Sequence, residues 1–269
     1  YRKEAPFLVT TFEDAMELAP KKDPQRSWAI EQIALGIVAR APQVSDQLYR
    51  LLIQENPRNA PALEHLARAA LANLTKPAPQ CIGPARAACV AEAIDLARKL
   101  IAVDATHCSS HELLARVLLA SGDPNKAVDT LDRAIDSIQD RVVCLRALAQ
   151  LTSEIGDRSR TTATLDKLAE AACSPREVCV ENLIFASGME MGRQNTRHAL
   201  HYLRRAAELA PERLDLQRQQ AELAASLALH AEAKEIYEGL VRRDPSNPEW
   251  PKRLAAETAL ARAGSLGRP

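Results

Sequence analysis

Aromatic side chains are nearly missing from this chain of 269 residues: Phe, Tyr and Trp together make up 3% of it. Its packing must therefore rely on small residues that let backbones approach and on Leu, Ile and Val between them. With Ala, Leu and Arg abundant, that pattern favours helix over sheet. An excess of charge of either sign is missing as well. Lys plus Arg and Asp plus Glu number 35 each, so the chain lacks the attraction that supplies most non-specific nucleic-acid affinity, and nucleic acid is not expected as a partner. No apolar stretch approaches the roughly 18 residues that read as a membrane-spanning helix. The sequence opens at Tyr1 without an initiator methionine, basic n-region or apolar h-region. The expectation is that something precedes it, either a signal peptide, a lipoprotein leader with a lipid anchor, or a larger parent protein.

Motifs of catalysis are missing too. There is no nucleophile elbow, Walker loop, dinucleotide fingerprint or zinc-protease helix. His107, Cys108 and His111, with Cys81 or Cys89, come nearest to a metal cluster. Zinc sites instead pair ligands two to four residues apart, twice over. His198 and His201 lie three apart and read as solvated on a helix face. The chain is expected not to be an enzyme and to carry no metal or cofactor; an enzyme or metal-binding protein built on His107, Cys108 and His111 is the alternative from a different class.

What the chain does have is a repeat. Gly122, Asp123, Ala127, Leu131 and Ala134 return as Gly156, Asp157, Thr161, Leu165 and Leu168, 34 residues on. Ala199, Leu203, Ala206 and Pro211 return as Ala233, Tyr237, Leu240 and Pro245 with the same shift. A small residue, a bulky one four on and a small or apolar one three further on, closed by proline, resembles the second helix of a tetratricopeptide repeat. The resemblance implies an all-α, right-handed α-solenoid of about six helix pairs plus a terminal helix, and a function of binding rather than chemistry.

Proline and glycine punctuate the array. A short helix is expected at 11–18 and a linker to 25, with Ser27 as a possible N-cap. Helix pairs are expected from 26 to 248, beginning with 28–40 and 45–55, and then 60–73 with a delayed partner from about Ala87. An insertion at 75–90 delays it, and its Pro-rich part, 75–85, cannot be helix. Further pairs follow at 108–139, 142–172, 181–209 and 214–243, and residues 249–269 form a capping helix and tail.

The six cysteines are even in number. Three disulfides are expected, Cys81 with Cys89, Cys173 with Cys179, and Cys108 with Cys144; reduced buried thiols and metal ligation are the alternatives. The last bridge is the most demanding, because packed helices sit about 9 to 10 Å apart and a disulfide needs Cα atoms within about 7 Å. Bridges would place the protein in the periplasm or outside the cell.

In this family the concave groove is lined by first-helix residues. Carrying its positions across gives Glu64 and Arg68, Glu112 and Arg116, Arg146 and Gln150, Ile184 and Gly188, and Arg218 and Glu222. The resemblance implies a protein or peptide partner lying there, with arginine forks meeting its carbonyls and carboxylates. The glutamates speak against the subfamily that grips acidic chaperone tails. Paired cysteines and the N-terminus resemble periplasmic or outer-membrane lipoproteins that help to assemble a bacterial envelope machine. A cytosolic adaptor with reduced cysteines is the alternative.

Overall fold

The computed structural model describes residues 24–76, 79–138, 141–171 and 174–266. These carry thirteen α-helices and no strand; the helix expected at 11–18 lies outside them. They fall into two compact units divided between Gly156 and Asp157. The first holds α1 (Pro24–Ile37), α2 (Pro42–Glu55), α3 (Ala60–Thr75), α4 (Arg86–Val103), α5 (Cys108–Ala120), α6 (Pro124–Ser137) and α7 (Arg141–Ile155). The second holds α8 (Arg158–Glu170), α9 (Arg176–Gly192), α10 (Thr196–Leu209), α11 (Leu214–Ser226), α12 (His230–Arg243) and α13 (Glu249–Leu266). Within the first unit α1 packs on α2, α3 on α4 and α5 on α6, and the first helices α3, α5 and α7 also touch in succession. Within the second, α9 packs on α10, α11 on α12, and α13 on α12. The array of consecutive helix pairs is the tetratricopeptide arrangement that the 34-residue recurrence implies.

The recurring Gly-Asp dipeptide makes the turn between one helix and the next. Gly122 and Gly156 have φ of +94° and +84°, a left-handed conformation that only glycine adopts without steric cost. The next residue starts the following helix. Asp123 accepts from the Lys126 amide at 3.1 Å and Asp157 from the Arg160 amide at 2.9 Å, each satisfying a backbone donor that the first turn leaves open. The same turn occurs twice more without glycine, at Gln194 (φ +60°) and Ala228 (φ +59°). At Gly122, Gln194 and Ala228 the amide of the following residue reaches back five positions, to Leu118, Glu190 and Ala224, closing the helix end. Left-handed residues therefore stand at 122, 156, 194 and 228, and the one longer step falls where residues 171–175 separate α8 from α9.

The small-bulky-small triplets form the core. Ala127, Leu131 and Ala134 in α6, Ala199, Leu203 and Ala206 in α10, and Ala233, Tyr237 and Leu240 in α12 are all buried. Thr161 takes the small position in α8 and removes the cost of its hydroxyl by donating to the Asp157 carbonyl at 2.7 Å. Truncating the central leucines would cost about 2 to 5 kcal/mol each.

Two expectations about local structure need correction. Ser27 is not an N-cap, because α1 already starts at Pro24; proline is tolerated in the first turn, where its missing N–H has no helical partner. The insertion is not wholly irregular either. It contains single 3-10 turns at Pro79–Cys81 and Gly83–Ala85, the second with proline near its start and Gly83 at φ +60°.

Four of the six cysteines pair as expected. Cys81 is bonded to Cys89, and Cys108 to Cys144 with Cα atoms 5.4 Å apart. The second bridge ties the start of α5 to the start of α7, where the two backbones approach more closely than the axes of packed helices do. Cys179 is also disulfide-bonded; the expected partner Cys173 lies outside the described residues. With Cys81, Cys89 and Cys108 in disulfides, the metal alternative loses its thiolate ligands.

Candidate binding groove

The groove begins with the helices that carry it. Asn59 caps α3 by accepting from the Ala62 amide at 2.9 Å. Arg86 donates to the Ala120 carbonyl at 2.9 Å and so satisfies an acceptor at the end of α5. The disulfide holds α7 to α5. Between the C-terminal halves of these helices lies an open depression of about 410 Å³, lined by Arg68, Leu71, Ala72 and Thr75 of α3, Arg116, Leu119 and Ala120 of α5, and Glu154 of α7. It arises because α3 and α5 end alike. Arg68-Ala-Ala-Leu71-Ala72 and Arg116-Val-Leu-Leu119-Ala120 share the pattern arginine, two residues, leucine, alanine. The leucines give an apolar floor that is only partly covered, and the alanines leave room beside them. In α7 the corresponding stretch ends in Ser153 and Glu154, which closes the depression with a carboxylate.

Two of the expected groove residues, Arg68 and Arg116, border this depression. Glu64 and Glu112 stand one turn earlier and accept from them: Arg68 Nε and Nη2 lie 2.9 and 2.7 Å from Glu64, and Arg116 Nε lies 2.8 Å from Glu112. Arg116 also reaches Glu154 across to α7 at 3.3 Å. Burial pulls the Arg116 pKa down, but the hydrogen bond to Glu112 and the charges of Glu154 and Glu112 outweigh it and hold it above the usual arginine value. The guanidinium is a permanent cation. Arg146 is half-buried on α7 and Gln150 is exposed on it. In the second unit Arg218 bonds to Glu222 at 3.0 Å within α11. Arg68, Arg116 and Arg218 are therefore each held in an arginine-glutamate pair, and each of these i,i+4 pairs contributes about 0.3 to 0.5 kcal/mol and is readily opened by a ligand.

The insertion falls elsewhere. Cys81 and Cys89 border a small polar cavity with Asp46, Arg50, Leu66, Ala69, Ala70, Asn73 and Glu92. Residues 66, 69, 70 and 73 lie on the face of α3 opposite to 68, 71, 72 and 75. The stapled loop thus faces away from the groove. Sequence reasoning named the two arginines but missed Leu71, Ala72, Leu119 and Ala120, although the repeated arginine-leucine-alanine pattern was available to find them.

No helix among the described residues is long and apolar enough to cross a membrane. No family profile matches the sequence, and no curated protein matches it. Among solved structures it is similar to PilW, a widely conserved type IV pilus biogenesis factor, at 14% identity and TM-score 0.46 over 86% of this chain and 100% of that one. It is similar to PilF of Pseudomonas aeruginosa at 16% identity and TM-score 0.44, covering 86% of this chain and 97% of that one. TTC0263, a thermophilic TPR protein of Thermus thermophilus, has 17% identity and TM-score 0.43 over 74% of this chain and 99% of that one.

Proposed function

We propose that this array of tetratricopeptide-like helix pairs is a non-enzymatic scaffold that holds an extended segment of a protein partner across α3, α5 and α7. The observation that carries the reading is the depression formed by the paired ends of α3 and α5: an accessible apolar floor, ringed by charged side chains, on the face where first helices follow one another. A groove of this kind suits an extended chain, whose backbone meets the rim while a side chain enters the floor. The disulfides support an oxidising compartment. The reading extends to a periplasmic or outer-membrane-associated place in a bacterial envelope, with a role in assembling an envelope machine. Five bridged cysteines among the described residues count against the cytosolic alternative with reduced thiols.

The test is comparative capture from bacterial envelope extracts with the parent protein and with Arg68→Ala plus Arg116→Ala. Both arginines are at least partly exposed, so the fold should survive. Partners held through the groove should be lost or weakened by about 1 to 3 kcal/mol for each charge-assisted bond removed. Equal recovery of the same partners by both proteins would place the site elsewhere.

A further inference from the structure

The geometry points to an occupant anchored by one large aliphatic side chain, with uncharged flanking backbone, rather than to an acidic segment; this rests on the groove being the binding site. The first argument is charge. The charged side chains that line the depression are Arg68, Arg116 and Glu154, and Glu64 and Glu112 stand one turn before the two arginines. Arg68 is already bonded to Glu64, and Arg116 to both Glu112 and Glu154. An incoming carboxylate meets three glutamates and only two arginines, both already paired, so the rim gives an acidic tail no net pull. A peptide backbone is different. It presents N–H donors and C=O acceptors in alternation, and a rim that alternates guanidinium donors with carboxylate acceptors matches it.

The second argument is the floor. Leu71 and Leu119 remain partly accessible, whereas Leu66, Leu113, Leu114 and Leu118 of the same two helices are buried. The alanines at 72 and 120 remove the side chains that would otherwise cover them. The resulting space of about 410 Å³ accepts the whole side chain of a leucine, isoleucine or methionine. Such a side chain is the part of the occupant that gains most on leaving water.

Panning a display library of random decapeptides on the oxidised protein tests this, followed by titration of the synthetic winners at low and high salt. The expected winners share a Leu, Ile or Met, and their affinity is nearly constant with salt because little net charge is neutralised. Ala72→Phe, which fills the depression from an exposed position, and Leu119→Asp should each weaken them roughly 10- to 100-fold, the value of burying one aliphatic side chain. Circular dichroism of Ala72→Phe checks that the helices are kept. Winners rich in Asp and Glu whose groove-dependent affinity falls steeply with salt would overturn the aliphatic anchor while leaving the groove reading intact. Winners indifferent to both variants, or no enrichment, would overturn the groove reading itself and the anchor with it.

Discussion

Opening the Cys108–Cys144 bridge should weaken the protein more than opening Cys81–Cys89, and the difference follows from where the bonds sit along the chain. The first closes a loop with a sequence separation of 36 and the second one of 8. Cross-linking lowers the entropy of the unfolded chain as the logarithm of loop length, which gives about 4 kcal/mol for the longer loop and about 2.5 kcal/mol for the shorter. Packing adds to the difference, because Cys108 and Cys144 are both buried while Cys89 is partly exposed. The variants are Cys108→Ala plus Cys144→Ala and Cys81→Ala plus Cys89→Ala, unfolded in urea and followed by far-UV circular dichroism. Urea midpoints are converted with the measured slope, which should change little if the unfolded surface is the same. Because α5 and α7 also border the groove, the first variant should lose groove binding as well. A loss below about 1 kcal/mol for Cys108–Cys144, or the reverse order, would refute the idea that this bond sets the spacing of α5 and α7.

Three further outcomes are expected. Ala228 holds φ +59°, so Ala228→Gly should stabilise the protein by about 1 kcal/mol in urea titrations, whereas Gly156→Ala should destabilise it by a similar amount. Glu190 is fully buried with Arg193 at 3.0 Å and the Thr162 hydroxyl donating to it at 2.7 Å; Arg193→Ala should cost about 3 kcal/mol by leaving a buried carboxylate without its cation, and an unchanged midpoint would contradict that role. The Arg204 fork holds the Glu232 carboxyl below the usual glutamate range. Its contribution is complete above the unfolded glutamate value, about pH 4.3, and is lost as pH falls through the lower folded value. Arg204→Ala should therefore flatten part of the acid limb of stability against pH.

The parts of the fold legible in the sequence were those where one residue type has one physical use. Gly122 and Gly156 before aspartate marked turns because glycine alone enters the left-handed region freely, and the Ala-Leu-Ala triplets marked the buried stripe of second helices. Gln194 and Ala228 make the same turn with residues that give no such signal. In the groove, Arg68 and Arg116 were legible from their positions, but their pairing with Glu64, Glu112 and Glu154 changes what they can recognise. The floor was missed because Leu71 and Leu119 look like core residues; only the neighbouring helices show that these two are left partly uncovered.

The proposed partner site is the face shared by α3, α5 and α7. A photo-crosslinking residue placed at Thr75, which lines the depression, and at Thr130 on α6, outside that lining, tests it most directly. The expected result is a partner adduct from position 75 that Ala72→Phe abolishes, and none from position 130. An adduct from position 130 with none from position 75 would contradict it.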